Sequence, residues 1–313
     1  MCDPYLPGLE NARGEIRRRI VSLVPALPGP VSGSDPPPRT YIMIPVRKRD
    51  FMSTTGTKPL HAAAGFICDM DGVIYQGNRL IPGVDGFVRW LRDNNKRFLF
   101  LTNSSSRSPR ELHEKLLRLG PDIGKEHFYT SAMATASFLA TQCPGGSCYV
   151  IGEPGLTNAL YEAGFSLNDD APDYVVVGES QSYSYDRITR AISLVLKGAR
   201  LIGTNPDLTG PTESGIVPAT GSLIAPIELA TGRKAYYTGK PNPLMMRIAL
   251  RKLGCRREES VIVGDRMDTD ILAGIEAGIE TALVLTGVTR EEDLTAFAWR
   301  PHHVFQSVAE IAG

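Results

Sequence analysis

The feature that most constrains the fold of this chain is a series of short apolar runs, each closed by a small or polar residue and followed by an amphipathic segment. The runs that we interpret as strands lie at 66–69, 97–101, 148–151, 174–177, 200–203, 260–263 and 281–285. Alternating strands and helices are typical of repeated βα units. Because the apolar residues within each strand are consecutive rather than alternating, we expect a parallel sheet that is covered by helices on both faces.

Two of the intervening helices have clear boundary signals. Pro109 lies near the start of SPRELHEKLLRLG, which ends at Gly120, and Pro243 precedes LMMRIALRKLG, which ends at Gly254. Proline in the first turn and glycine after the last turn are typical helix limits. The chain has more βα units than one compact sheet needs. The sequence therefore predicts an α/β protein with a Rossmann-like parallel-sheet core and an inserted second α/β domain.

Composition narrows the classes of partner. The 34 Lys and Arg residues are balanced by 34 Asp and Glu residues, so no net charge draws the chain to nucleic acid or to an anionic membrane. No basic stripe interleaved with aromatic residues appears, and no apolar run approaches the ~20 residues that span a bilayer. We expect neither a nucleic acid polymer nor a membrane as partner, and any bound anion must be held locally.

Residues 1–60 differ from the rest of the chain. They carry ten of the 23 prolines and show no sustained periodicity, which predicts a disordered or loosely attached extension. The apolar stretch at 20–31 is broken by three prolines, which disfavours a secretory signal. Met52 is an alternative in-frame start just before the regular pattern.

The cysteines of the whole chain bear on its compartment. Five cysteines without a CxxC pair favour free thiols and a cytoplasmic location.

Polar residues follow three of the predicted strands. In open α/β sheets, ligands bind outside the carboxyl ends of the strands. The polar residues at these ends are Asp69 and Asp71, then Thr102 and Asn103, and finally Asp265 with Asp270 shortly after it. Carboxylates that converge there repel one another unless a cation lies between them. Oxygen ligands without His or Cys favour Mg²⁺ over zinc.

The same groups suit phosphoryl transfer. A carboxylate can attack phosphorus when a metal and a positive side chain neutralise the phosphate, and Lys240 is the candidate for that side chain. Taken singly, an aspartate after a strand is more often a helix cap or turn former, and Lys240 a solvated surface lysine. The ordered appearance of all these groups at successive strand ends favours the functional interpretation.

Four segments of this set resemble the motifs of the haloacid dehalogenase (HAD) superfamily of phosphatases. They are DMDGV at 69–73, LTNSS at 101–105, GKP at 239–241 and GDRMDTD at 264–270. Three more are similar to its NagD-like branch, subclass IIA, namely TSAMATA at 130–136, GTNPD at 203–207 and TDILAGIEAG at 269–278. The resemblance extends from about Gly65 to the end of the chain.

The resemblance implies a role for each motif residue. Asp69 is the expected nucleophile, which forms an aspartyl phosphate, and Asp71 is the expected general acid and later base. The expected Mg²⁺ ligands are the carboxylates of Asp69 and Asp265 and the backbone carbonyl of Asp71, with Asp270 close behind them. The expected contacts of the phosphoryl group are Gly72, Thr102, Asn103 and Lys240.

The resemblance also implies a domain arrangement. A HAD-like core is expected over 61–141 and 237–313, and an α/β cap domain over 142–236 closes the active site against water. NagD-like proteins commonly form homodimers through the cap, and we extend that expectation to this chain. The cap-side candidates for substrate contact are Asn205 and Asp207, with Glu213 and Thr220 beyond them. A turn-forming role for the Asn-Pro-Asp stretch is equally open.

The loop after Asp265 departs from the family's usual pattern. Arg266, Met267 and Asp268 stand where a small residue is common, and we expect these loop positions to be permissive, with contact to the substrate as the alternative. The resemblance also implies small phosphorylated metabolites as substrates, with nucleoside monophosphates such as UMP and GMP favoured. Phosphoglycolate, pyridoxal phosphate and sugar phosphates are alternatives, because fold and family do not determine the substrate.

Two other functions compete with the phosphatase interpretation. A phosphomutase usually carries a helical cap after the first motif, whereas here the first two motifs are only about thirty residues apart. A non-catalytic, phosphate-binding regulatory protein would not need Asp71, Lys240 and a large cap together. Both are therefore disfavoured relative to hydrolysis.

Overall fold

The computed structural model describes residues 60–212 and 215–312. The predicted N-terminal extension lies outside these residues apart from Leu60, as does Glu213. The helices among the described residues are α1 (Val84–Asp93), α2 (Pro109–Leu119), α3 (Ser131–Gln142), α4 (Pro154–Glu162), α5 (Tyr185–Leu196), α6 (Thr220–Thr231), α7 (Pro243–Leu253), α8 (Leu272–Ala277) and α9 (Ala309–Ala312). Short 3₁₀ segments lie at Leu60–Ala62, Lys125–His127, Arg257–Glu259 and Glu291–Ala296.

The strands form two parallel sheets and two hairpins. In chain order they are β1 (Gly65–Cys68), β2 (Tyr75–Gln76), β3 (Arg79–Leu80), β4 (Arg97–Thr102), β5 (Phe128–Thr130), β6 (Ser147–Ile151), β7 (Ser166–Leu167), β8 (Tyr174–Val177), β9 (Arg200–Gly203), β10 (Thr209–Thr212), β11 (Gly215–Pro218), β12 (Tyr236–Tyr237), β13 (Ser260–Gly264), β14 (Glu280–Val284) and β15 (His303–Phe305). All seven predicted strands are present, which confirms the predicted parallel α/β fold.

The first sheet has the order β15-β14-β13-β1-β4-β5, and all its neighbouring strands are parallel. Its middle strand, β1, is buried on both faces. Phe66 packs into an apolar cluster on one face of the sheet and Ile67 into a cluster on the other. This two-sided burial explains why the strand is apolar at every position rather than at alternate ones.

The second sheet has the order β12-β9-β8-β6-β7 and is also parallel. Helix α3 connects the two sheets, because Ala134 packs in a cluster of the first sheet while Ala136 and Leu139 pack in a cluster of the second. The hairpins β2-β3 and β10-β11 are antiparallel. None of the helices within the described residues has both the length and the apolar character needed to cross a bilayer.

The two helices with clear boundary signals have the expected limits. Ser108 caps α2 by accepting a hydrogen bond from the Glu111 backbone N–H, and the Glu111 carboxylate accepts one from the Ser108 N–H. Asn242 caps the start of α7, and Gly254, with a left-handed φ of 62°, caps its end. These caps satisfy backbone groups that have no partner inside the helix.

Candidate active site

The carboxyl ends of three adjacent strands bring the predicted acidic residues together. Strand β1 lies between β13 and β4. Asp69 follows β1 directly, and its N–H donates to the Val263 carbonyl of β13 at 2.8 Å. Asp265 follows β13, and Thr102 is the last residue of β4. The strand register therefore explains why residues almost two hundred positions apart share one edge of the sheet.

Asp69, Asp265 and Asp270 form an acidic cluster in which one carboxylate oxygen from each residue lies within 4.8 Å of the others. Asp265 and Asp270 are almost completely buried. Lys240, which is also buried, donates from Nζ to Asp69 Oδ1 at 2.5 Å and to Asp270 Oδ1 at 2.7 Å. One ammonium group cannot neutralise three carboxylates, so the fully ionised cluster carries two uncompensated negative charges.

Burial and the short distances within the cluster shift the pKa values of Asp69, Asp265 and Lys240. Burial raises the pKa of Asp69 well above its usual range, and Asp270 and Asp265 add to that effect while Lys240 opposes it. Burial and the neighbouring Asp270 raise the pKa of Asp265 to about 7. Burial disfavours the charged form of Lys240, but Asp270 and Asp69 outweigh it and hold the pKa of Lys240 above its usual value.

The cluster fits a divalent cation. Asp265 Oδ2 accepts a hydrogen bond from the Val288 N–H at 2.7 Å, whereas Asp265 Oδ1 is buried with no hydrogen-bond partner among the residues that the structure describes. A buried carboxylate oxygen without a donor is costly unless a cation compensates it. Because the available ligands are carboxylate oxygens, the site suits Mg²⁺ better than zinc.

Asp270 is held by a distorted stretch of backbone. A π-helical turn at Met267–Ile271 precedes α8, and the Arg266 N–H donates to Asp270 Oδ2 at 3.1 Å. With Lys240 on Oδ1, both oxygens of Asp270 have donors. The residue therefore belongs to the cluster and also anchors Lys240 within it. Turns of this kind are frequent at functional sites.

Gly72 fills a position that no other residue type can occupy without strain. Its φ is +79°, and a Cβ atom there would lie 2.6 Å from Asp265 Oδ2 and 3.0 Å from the Gly287 Cα. Its carbonyl accepts a hydrogen bond from Thr286 Oγ1 at 2.6 Å. The glycine thus allows the loop after β1 to lie directly against Asp265.

Replacement of Gly72 by alanine is expected to lower the free energy of unfolding by about 2–3 kcal/mol, through backbone strain and contact with the Asp265 carboxylate. The matched control is Gly86→Ala in α1, where an added Cβ meets no atom within 4 Å. That change is expected to stabilise the helix by about 0.5–1 kcal/mol. Urea unfolding followed by circular dichroism measures both, and equal effects of the two changes would contradict the strain at Gly72.

Asp71 lies beside the acidic cluster with a different set of neighbours. The Tyr75 hydroxyl donates to Asp71 Oδ2 at 3.2 Å, and Lys115 Nζ of α2 lies 3.3 Å from the centre of the Tyr75 ring. Burial raises the pKa of Asp71, and Lys115 partly opposes that shift. Neither Tyr75 nor Lys115 was among the predicted site residues, because nothing in the local sequence pattern connects them to Asp71.

The side chain of Asn103 connects β4, the Lys240 loop and the second sheet. Its Oδ1 accepts from the Lys240 N–H at 2.8 Å, and its Nδ2 donates to Asp207 Oδ2 at 2.9 Å and to the Lys240 carbonyl at 3.0 Å. Thr102 Oγ1 is buried and accepts from the Ser104 N–H at 3.0 Å. Thr102 and Asn103, two of the four predicted phosphate contacts, therefore lie at the end of β4, and Lys240 contacts that same strand end.

The cap-side candidates have two kinds of surroundings: some are buried in local contacts of the second sheet, and one bonds to a predicted site side chain. Asn205 is buried, donates to the Asn103 carbonyl at 2.8 Å and accepts from the Asp207 N–H at 3.1 Å, as expected of a turn former. Thr220 is also buried, against Thr204. Asp207 bonds to the side chain of Asn103, whereas Asn205 bonds to the Asn103 backbone, so Asp207 is the candidate from this group that contacts a predicted site side chain.

Two further residues join the second sheet to the site. Glu179, two residues beyond the end of β8, accepts from Ser104 Oγ at 2.7 Å and from the Ser105 N–H at 3.2 Å. Arg266 bonds to Asp268 and lies 3.7 Å from Asp207. Glu179 is not among the predicted site residues, although a polar residue shortly after an apolar strand is the same kind of signal that predicts Asp69. Arg266, expected to be permissive, has specific partners here.

The comparisons with known proteins agree with this geometry. The family described as haloacid dehalogenase-like hydrolase matches residues 66–166, and a second, HAD-hydrolase-like family matches residues 237–311. A dihydroxyacetone phosphatase from Corynebacterium glutamicum is 50% identical over 79% of this chain and 90% of that protein. The ribonucleotide monophosphatase NagD of Escherichia coli is 46% identical over 78% of this chain and 96% of that protein.

A solved structure extends the similarity to three dimensions. The 4-nitrophenylphosphatase of Thermotoga maritima matches with a TM-score of 0.79 and 37% identity, covering 82% of this chain and 98% of that one. These similarities confirm the predicted resemblance and identify the chain as a phosphatase. The chain therefore belongs to the haloacid dehalogenase-like hydrolases, within their NagD-like branch.

Proposed function

We propose that the chain hydrolyses phosphate monoesters with Mg²⁺ through an aspartyl phosphate on Asp69. The observation that carries this proposal is the acidic cluster, where the Asp69 carboxylate bonds to Lys240 and lies within 4.8 Å of a carboxylate oxygen of Asp265. Asp265 also has a buried Oδ1 without a hydrogen-bond partner among the described residues. This arrangement gathers a nucleophile, a fixed positive charge and oxygen ligands for a cation at one strand edge. A structural ion pair alone would not require three crowded carboxylates.

The proposed reaction has two displacements. Asp69 attacks phosphorus, the bond from phosphorus to the leaving oxygen breaks, and Asp71 donates its proton to that oxygen. Asp71 then takes a proton from water, which attacks phosphorus, and the bond to the Asp69 carboxylate breaks to release phosphate. Lys240 offsets the negative charge that the phosphoryl group brings to the carboxylates.

The residues that would hold Mg²⁺ are the carboxylates of Asp69 and Asp265 and the backbone carbonyl of Asp71, with Asp270 adjacent. When bound, the metal ion supplies positive charge that lets an anionic nucleophile approach an anionic phosphate. Gly72, Thr102 and Asn103 are the proposed contacts of the phosphoryl oxygens. For Asn103 this requires that a phosphoryl oxygen replace or share one of its present partners.

We propose residues 142–236 as the cap and 61–141 with 237–313 as the core. The contacts of Asp207 with Asn103 and Arg266, and of Glu179 with Ser104, support this assignment because they join the second sheet to the catalytic edge of the first. In this position the cap limits the access of water to the site and the size of the leaving group. A homodimer through the cap stays a prediction.

For the substrate we propose a nucleoside monophosphate such as UMP or GMP, or a similar small phosphometabolite. The names of the relatives support this range, since one is a ribonucleotide monophosphatase and the other a dihydroxyacetone phosphatase. Phosphoglycolate, pyridoxal phosphate and sugar phosphates remain alternatives. We propose the cytoplasm as its compartment, supported by four free cysteines among the described residues, Cys68, Cys143, Cys148 and Cys255.

The test is phosphate release from a panel of UMP, GMP, dihydroxyacetone phosphate, phosphoglycolate, pyridoxal phosphate, sugar phosphates and p-nitrophenyl phosphate, each with Mg²⁺ and with EDTA. We expect phosphate release that requires Mg²⁺. The physiological class of substrate is expected to show the highest kcat/KM. Binding of phosphate without hydrolysis of any ester would instead support the regulatory alternative. Undiminished release in EDTA would contradict the metal requirement.

A further inference from the structure

The Tyr75 hydroxyl contacts the group that we propose as general acid and base. It donates to Asp71 Oδ2 at 3.2 Å across a loop that turns back at Gly72. A carboxylate with one oxygen held by a fixed donor can rotate less freely than one in solvent. The bond occupies Oδ2, so Oδ1 is the oxygen that we assign to proton transfer.

The tyrosine itself is held rigidly. Its side chain is only 2% exposed, its N–H donates to the Met70 carbonyl at 3.2 Å and its carbonyl accepts from the Gly72 N–H at 2.8 Å. On the ring face, the ammonium of the buried Lys115 lies 3.3 Å from the ring centre. A cation over a phenol ring is attracted to its π electrons and restricts the movement of the ring.

We propose that Tyr75 is a positioning residue that orients the Asp71 carboxyl group for proton transfer to the leaving oxygen, and that Lys115 holds Tyr75 in place. This inference rests on the proposed function. In the step concerned, the bond from phosphorus to the leaving oxygen breaks as Asp71 transfers its proton to that oxygen and becomes a carboxylate. Tyr75 donates to Asp71 before and after the transfer and loses no proton.

The test uses the basicity of the leaving group. An alkoxide is a poor leaving group that needs the proton, whereas p-nitrophenolate leaves without one. We expect Tyr75→Phe to lower kcat/KM for an alkyl phosphate, such as glycerol phosphate, by about 10-fold and for p-nitrophenyl phosphate by less than about 2-fold, because positioned proton transfer contributes about 10²–10⁴-fold. The ratio kcat/KM reports steps up to departure of the leaving group, so the later role of Asp71 with water does not enter.

Two further variants test whether the selective loss comes from the contact between Tyr75 and Asp71. Lys115→Met keeps the aliphatic stem of the lysine and is expected to show the same selective loss to a smaller extent. Tyr149→Phe removes a hydroxyl of the second sheet that donates to the Arg187 carbonyl. This change is expected to leave kcat/KM unchanged for both substrates. Thermal unfolding of each variant separates loss of fold from loss of orientation.

An equal fall on both substrates, or no change on either, overturns the inference, since packing alone does not distinguish leaving groups. Asp69→Asn is assayed on the same two substrates. If Asp69→Asn retains the wild-type rate, the proposed function itself fails. If Asp69→Asn is inactive and Tyr75→Phe is unselective, only the role of Tyr75 fails.

Discussion

Asp69→Asn is expected to lower kcat by about 10⁴-fold or more on every substrate that the wild type hydrolyses, because the amide cannot form the phosphoryl bond. The change is nearly isosteric and keeps a hydrogen-bond acceptor beside Lys240. Phosphate release measures the rate, and acid-quenched incorporation of labelled phosphate into the protein measures the covalent intermediate. We expect label on the wild type and none on the variant.

The same change is not expected to unfold the protein. Burial and two neighbouring carboxylates raise the pKa of Asp69, so its ionised form is disfavoured in the fold. Lys240 keeps its bond to Asp270 at 2.7 Å after the substitution. Removing one of three crowded carboxylates therefore leaves the free energy of unfolding within about 1 kcal/mol of the wild type, or raises it, as is common where catalytic residues are strained.

The matched control is Asp169→Asn, a carboxylate-to-amide change at an exposed position of the second sheet's periphery. It is expected to change neither rate nor stability. Label that persists on the Asp69→Asn protein would place the nucleophile elsewhere. A rate loss that matches a loss of folded protein would make Asp69 a structural residue instead.

The parts of the fold that could be predicted from the sequence are those whose residues repeat a pattern locally. Strand β13 is apolar at nearly every position because it is buried on both faces, so it was recognised without any knowledge of its neighbours. Strands β5 and β15 have three residues each, which is too short to show a period. Strand β10 reads TGPT, which resembles a loop, and only pairing with β11 makes it a strand.

The same distinction applies to the site. Asp69 and Asp265 were identifiable because each follows an apolar run, and strand ends of one sheet must converge. The contact of Tyr75 with Asp71 depends on how the short hairpin after β1 folds back, and no period in the sequence encodes it. The pairing of Arg266 with Asp207 joins two loops from different sheets, so it appears only once the sheets are placed.

Lys240→Met is expected to lower the free energy of unfolding in EDTA by about 3–5 kcal/mol at pH 8, because it leaves the carboxylates of the cluster without their buried counter-charge. Methionine keeps the length of the aliphatic stem, so the loss comes from the charge. Urea unfolding of the metal-free protein measures it. Mg²⁺ is expected to reduce the deficit, since a second positive charge then compensates the same oxygens.

The loss in the free energy of unfolding caused by Lys240→Met is expected to depend on pH. The pKa of Asp265 is about 7 in the folded protein, against about 3.9 in an unfolded chain. Folded protein therefore binds more protons than unfolded protein between these values, and its stability falls as pH rises through that window. Lys240 lowers the pKa of both Asp69 and Asp265, so without it these two groups hold their protons more tightly still. The difference in the free energy of unfolding between variant and wild type is therefore smallest near pH 4 and grows through about pH 7.

Lys234→Met is the control for removing a lysine that pairs with a carboxylate, because Lys234 lies 3.2 Å from Glu228 with its side chain 84% exposed. A pair whose lysine is this exposed contributes less than about 1 kcal/mol, and its loss has no reason to follow the titration of the acidic cluster. If the deficit of Lys240→Met does not change between pH 5 and pH 8, the ammonium group is not what neutralises these carboxylates. A deficit that grows with pH and shrinks with Mg²⁺ ties the stability of the fold to the same charge balance that the proposed reaction requires.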